Sequence, residues 1–183
     1  LFAMFNNIVR LDQNGAMAPD LARSWDFSPD GKVITFHLQT GVKFQDGTPF
    51  NAQAVKWNFE RILDPESVSP RRGDIVAYVE RVNALDENTG AVYLKQAFRP
   101  LLTLLGDRTG WVVSPTAVQK LGRDFARSPV GTGPFILSRW VIDESLLLRR
   151  NENYWEKGKP YLDAIRIQVL IDGQVLVAML RTG

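Results

Sequence analysis

The chain contains no cysteine. That excludes disulfides, thiolate catalysis and cysteine-ligated zinc, and it leaves the compartment open, since exported proteins can also do without cysteine. Histidine is almost as scarce. The single one, His37, cannot build a multi-histidine metal site. Neither sign of charge dominates: 22 Lys+Arg against 20 Asp+Glu leave a net +2. Nucleic-acid binding asks for basic residues clustered on one face, and the only basic doublets are Arg71-Arg72 and Arg149-Arg150. No apolar run approaches the ~20 residues that cross a bilayer. Low-complexity segments, internal repeats and a signal peptide are also missing. The chain opens at Leu1 without a methionine and stops at Gly183 after an apolar helical stretch, so both ends read as cut from a longer protein.

What is present suits a folded protein. The 183 residues, 45% apolar and 23% charged, can bury a core for one domain or one and a half. The most informative stretch is 25–63. Ser28-Pro29-Asp30-Gly31 is a tight turn in which proline presets φ, aspartate bonds its own backbone and glycine accepts positive φ. Val33 to Leu38 then alternates, with Ile34, Phe36 and Leu38 on one face and Val33, Thr35 and His37 on the other, predicting a half-buried strand. A second turn, 45–49, leads to Asn51 as N-cap of a helix whose stripe is Val55, Phe59 and Ile62.

Around this stretch, residues 1–12 suit a short helix running into a strand. Asn14-Gly15 predicts a hairpin-like turn within 8–27. Residues 64–75 hold two prolines, a glycine and two serines, and read as an irregular loop. Strands are predicted at 79–85 and 91–95 around a turn at 86–90. Leu101, Leu102, Leu104 and Leu105 predict a short buried helix, followed by an extended run at 111–113. Ser114-Pro115 starts a helix that Gly122 ends. Val130 to Phe135, with Gly131-Thr132-Gly133, is an irregular entry to a strand at 135–142, partnered by 146–149. A polar turn at 151–155 carries Tyr154 and Trp155. Ile165, Ile167, Val169 and Ile171 alternate as a last strand, and Asp172 caps a final helix. The fold class is α+β (mixed α/β), with mainly antiparallel or mixed sheet and flanking helices.

The segment from Asp30 to Val55, DGKVITFHLQTGVKFQDGTPFNAQAV, with PDLARSW before it, resembles the dipeptide, oligopeptide and nickel class of solute-binding proteins that serve ABC importers. VGTGPFILSRW, RRNENYW, GKPYLDAIRIQV and AMLRTG look like the same family in the same order, so the resemblance spans essentially the whole chain. It implies a periplasmic-binding-protein-like class II lobe, present as a partial fold. Residues 6–128 would be the accessory subdomain of the first lobe, and 129–183 with 1–5 the beginning of its main sheet. The second lobe would be absent. It further implies no enzyme activity and no cofactor. The partners would be a peptide or small-molecule ligand, the ABC permease transmembrane subunits and the missing C-terminal lobe of the same chain, with no nucleic acid. The location would be periplasmic or extracytoplasmic, with or without a lipid anchor. Peptides, nickel chelates, opines and oligosaccharides are all carried by such proteins.

Ligand-binding candidates follow from the resemblance. Arg71 and Arg72 fall in the loop that faces the cleft in relatives, where a guanidinium could pair with a ligand carboxylate. The plain alternative is a solvated doublet. Arg108 and Trp111 fall in another cleft-facing segment, where the indole could stack on ligand; the alternative is a core tryptophan. Gly131-Thr132-Gly133 lacks the lysine and following helix of a phosphate loop, and backbone geometry explains it better. His37 reads as structural, and Asp30 and Asp46 as turn residues. Tyr154 and Trp155 read as packing residues ahead of a stacking platform. Two other classes remain: a hydrolase, favoured if two carboxylates with raised pKa converge in a cleft, and a self-standing interaction domain, favoured by a functional exposed apolar patch.

Overall fold

The computed structural model describes residues 2–67, 69–169 and 181. Ile171, Asp172 and the predicted final helix lie outside the described residues. A 3₁₀ turn at Phe2–Met4 leads into strand β1 (Val9–Leu11), which the Asn14-Gly15 turn folds back onto β2 (Met17–Pro19). Gly15 has φ +78°, the left-handed conformation that glycine adopts freely.

β3 (Ala22–Phe27) and β4 (Val33–Leu38) pair antiparallel across the Ser28–Gly31 turn. β4 lies second in a four-stranded antiparallel sheet of order β3-β4-β6-β5, with β5 at Val79–Ala84 and β6 at Thr89–Leu94. The alternation of β4 is borne out: Ile34, Phe36 and Leu38 are buried, while Val33, Thr35 and His37 are half-exposed. His37 Nε2 lies 3.0 Å from Asp26 Oδ2 on the neighbouring strand, which gives the histidine a structural partner.

Helix α1 (Ala52–Leu63) covers this sheet with Val55, Phe59 and Ile62 buried, as predicted. Asn51 caps it, accepting from the Ala54 N–H at 3.0 Å. The following loop is less irregular than its composition suggests. Arg72–Ile75 forms a single helical turn, α2, closed by Val76 N–H to Arg72 C=O. Full burial of Ile75 holds that turn against the core, so tertiary packing overrides weak local propensity. α3 (Leu101–Leu105) buries Leu101, Leu102 and Leu105, and leaves Leu104 only partly covered.

α4 (Pro115–Leu121) has the predicted caps: Ser114 Oγ accepts from Ala117 N–H at 3.1 Å, and Gly122 follows with φ +54°. The chain then enters a three-stranded antiparallel sheet of β7 (Phe135–Val141), β8 (Ser145–Arg150) and β9 (Ala164–Gln168). Ile165 of β9 packs on the core, but Ile167 and Val169 are 44% and 51% exposed. β9 is an edge strand, and among the described residues nothing covers that side of it.

The buried apolar residues fall into two clusters. The larger joins β1, the four-stranded sheet, α1 and α3. The smaller gathers Met4, Phe5, Val113, Phe135 and Leu148. Gly131 and Gly133 sit at their junction. A Cβ on Gly133 would lie 2.4 Å from the Met4 carbonyl carbon, and one on Gly131 2.4 Å from the Met4 oxygen. The Gly-Thr-Gly sequence is thus a requirement of close backbone approach, completed by a Gly133 N–H to Met4 C=O bond of 3.0 Å.

Candidate ligand-binding site

The four predicted residues lie on two segments that one carboxylate joins. Asp74, in α2, accepts from Arg71 Nη1 at 3.3 Å and from Thr109 Oγ1 at 2.8 Å. Arg71 and Arg72 are half-buried, and Arg72 Nε donates to the Leu63 carbonyl at the end of α1, 3.3 Å away. Arg108 is exposed and opens the 3₁₀ turn Arg108–Gly110. The Arg71–Asp74 pair is itself partly exposed, so its net contribution is small, ~0–1 kcal/mol. Its value is positional.

Trp111 is half-buried and stacks on Phe5, with ring centroids 5.1 Å apart and 19° between planes. It packs at the margin of the smaller core cluster, so the indole has a packing role of the kind weighed as its alternative from sequence. The backbone on either side is fixed. Ile8 N–H donates to Gly110 C=O at 3.1 Å, and Asn58 of α1 clamps Val113. The Asn58 amide donates to Val113 C=O at 2.9 Å and its oxygen accepts from Val113 N–H at 3.1 Å.

Sequence reasoning missed Asn58, Asp74, Thr109 and Gly110. Asn58 left one trace: it lies within the apolar stripe of α1, between Val55 and Ile62, where a polar residue must find a buried partner. Asp74 and Thr109 left none, because their pairing depends on a long-range fold.

Two clefts are open nearby. One, of about 400 Å³, borders Asp74 and is lined also by Gly73, Thr103 and the stacked rings of Tyr78 and Phe98, 3.7 Å apart. The other, of about 670 Å³, is lined by Lys43, Gln45, Arg149, Asn151, Tyr154 and Trp155. Neither contains Arg71, Arg72, Arg108 or Trp111.

A polar network ties the 151–159 segment to the N-terminal strands. Trp155 Nε1 donates to Asn6 Oδ1 at 3.2 Å, and the Asn6 amide donates to Tyr154 Oη at 3.1 Å and to Asp20 Oδ1 at 2.9 Å. Tyr154 in turn donates to Glu156 at 3.0 Å. The two aromatics are therefore hydrogen-bonded packing residues. Burial pushes the Tyr154 hydroxyl well above its ordinary pKa.

Burial also raises Asp20 from 3.8 to about 6, against the lowering effect of bonds from Asn7 N–H and Asn6 and of the Arg10 charge. The folded state then holds a proton that the unfolded chain releases between pH 4 and 6, so this group's stabilisation is complete below about pH 4 and lost as pH rises through 6. At ~1.4 kcal/mol per pKa unit the loss is about 3 kcal/mol. Urea unfolding at pH 4, 5, 6 and 7 is expected to show the wild type losing most of that relative to Asp20→Asn. A constant difference would contradict it.

Asp46 and Asp30 stay in their turns. Burial raises Asp46, but bonds from Ser114 and Thr48 outweigh it and hold the carboxyl below the ordinary range. Asp30 is lowered chiefly by the Ser28 hydroxyl.

Comparison with known proteins places the chain. Residues 16–183 match the sequence family described as bacterial extracellular solute-binding proteins, family 5 Middle, and the chain belongs to that family. It is 35% identical over 181 residues to the glutathione-binding protein GsiB of Shigella flexneri, covering 99% of this chain and 35% of that protein. Among solved structures, AgaA from A. tumefaciens R10 in complex with agropinic acid superposes with a TM-score of 0.91 at 30% identity, covering 99% of this chain and 36% of that one. DppA from Helicobacter pylori, solved with the peptide STSA, gives a TM-score of 0.88 at 30% identity, covering 99% and 40%. The chain thus has the α+β class II binding-protein fold in part, and spans about a third of the length of the curated relatives it matches.

Proposed function

We propose that the chain is the first-lobe portion of the substrate-binding component of an ABC importer. The protein captures a peptide or related small solute (a nickel chelate, opine or oligosaccharide) outside the cytoplasmic membrane and delivers it to the permease. Family membership over nearly the whole chain carries this reading. Relatives with the same fold hold agropinic acid and a peptide, and a 35%-identical relative is a glutathione-binding protein.

In this reading the larger core cluster belongs to the accessory subdomain, residues 6–128. The smaller belongs to the main sheet, 129–183 with 1–5, and takes Val113 from the accessory side. Arg71, Arg72, Arg108 and Trp111 face the solute on one side of a hinged clamp, which closes when the second lobe arrives. The protein captures and does not transform. The turn carboxylates a hydrolase would have used, Asp30 and Asp46, are both lowered and held by their own turns.

The test is a thermal-shift panel on the full-length protein with glutathione, short peptides, nickel with and without L-histidine, agropinic acid and maltotriose, and the 183-residue piece as control. A solute at a hundredfold excess over its Kd stabilises by about 2.7 kcal/mol. One class should shift the full-length protein and leave the piece unmoved. No shift in the parent, with turnover by the piece, would remove the reading.

A further inference from the structure

Residues paired across an antiparallel sheet share a face, so the registers of β7, β8 and β9 sort their side chains onto two sides. One side turns Leu137, Leu148 and Ile165 toward the smaller core cluster. The other sets Arg139 across from Leu147 and Arg166, and Ile136 across from Arg149 and Ala164. All three arginines are exposed. Val141, Ser145 and Gln168 complete this side, so no acid stands on it among the described residues.

Two clefts border the same face, and Ile136 lines both. The first, of about 330 Å³, adds Arg127 to Arg139; the second, of about 670 Å³, adds Lys43 to Arg149. Among the described residues, none of Lys43, Arg127, Arg139, Arg149 and Arg166 makes an ion pair or a side-chain hydrogen bond. The one carboxylate that lines either cleft among those residues is that of Glu152, which accepts from Arg150 Nε at 3.1 Å. Single exposed charges are ordinary on any protein. A sheet face and two adjoining clefts of one sign, in a chain of net charge only +2, form a local positive field that calls for an anionic partner.

The clefts decide which kind of anion fits. A bilayer is flat and cannot enter them, and its anionic headgroups would repel the exposed Asp143 and Glu144 at the β7–β8 hairpin end of the sheet. Aspartate and glutamate side chains that project from a protein surface reach into such clefts, and the arginine fork takes a carboxylate by two parallel bonds. Leu147, 36% exposed between Arg139 and Arg166, supplies an apolar contact at the centre. We propose that this face docks acidic extracytoplasmic loops of the importer's permease. The proposal rests on the importer reading and deepens it by naming the surface that meets the permease.

The experiment uses the full-length protein, loaded with its solute, and its cognate permease in phosphatidylcholine nanodiscs, with Kd read by biolayer interferometry at low and physiological salt. The variants are the double reversal Arg139→Glu with Arg166→Glu, and the single Arg149→Glu. Arg23→Glu, an exposed position on the edge strand β3, is the control. The double reversal is expected to weaken permease binding by about tenfold or more and to flatten its salt dependence, with Arg149→Glu between it and wild type. The control, and the solute Kd of every variant, should stay within about twofold of wild type. If the double reversal fails to fold, Arg139→Gln and Arg166→Gln replace it singly, each expected to weaken permease binding about threefold.

Permease binding unchanged by these substitutions would overturn the proposal. A parallel loss of solute affinity would overturn it too, by tracing the effect to the solute site. Equal binding of the wild type to phosphatidylglycerol nanodiscs without permease would make the face a lipid site instead. A wild-type dimer that the double reversal dissociates would assign the face to a second copy. A wild type that binds solute but no permease would overturn the proposal while leaving solute capture standing, and one that binds neither would count against the importer reading itself.

Discussion

Asn58→Leu is expected to cost about 3 kcal/mol, because it leaves both the N–H and the C=O of Val113 without partners in a buried place. Val113 is 7% exposed, and Asn58 satisfies both of its backbone groups while also donating to Ala54 C=O at 2.9 Å. Each buried orphan costs ~1–3 kcal/mol, and leucine can bond neither. The added apolar surface offsets little, since Asn58 is already enclosed at 3% exposure. Urea denaturation of wild type and variant checks the figure. Because Val113 anchors the run that carries Trp111, solute affinity in the full-length protein should fall together with stability. A loss below about 1 kcal/mol would mean that the two groups find water or another partner.

Gly110→Ala is expected to be at least as damaging. A Cβ at this position would lie 1.8 Å from the Leu105 carbonyl oxygen and 2.6 Å from its carbon. Both are backbone atoms of α3, so no side chain can swing aside. The 3₁₀ turn Arg108–Gly110 must then move away from α3, stretching the Ile8 N–H to Gly110 C=O bond and the Asp107 C=O to Gly110 N–H bond of 2.9 Å. Overpacking of this kind costs about 3 kcal/mol or more when the backbone must yield. The check is the chemical denaturation midpoint of the variant. Gly73→Ala, where a Cβ would meet nothing within 4 Å, is the matched control and should change little.

Both substitutions fall where sequence reading was weakest. The turns and strands at 25–63 were legible because their signals are local: the Pro-Asp-Gly turn, the period-two alternation of β4 and the Asn51 cap each act within a few residues. The Ser114-Pro115 start and Gly122 stop of α4 were legible for the same reason. The helical turn at Arg72–Ile75 was not, since it exists only because Ile75 reaches the core. The exposed face of β9 also departed from its clean alternation, which speaks of a burying surface that the described residues do not supply.

The four candidate residues were drawn from resemblance and not from pattern. Arg71, Arg72, Arg108 and Trp111 share no local motif. What brings their segments together is a chain of long-range bonds through Asp74–Thr109 and Asn58–Val113.

The central claim is that the full-length protein captures one solute and releases it unchanged. Native mass spectrometry of that protein, incubated with the solute that the thermal-shift panel selects, tests this most directly. The account predicts a complex heavier by the mass of one intact solute, and the same solute mass recovered after hours of incubation. A free product of altered mass, accumulating beyond one equivalent of protein, would contradict it and make the protein an enzyme.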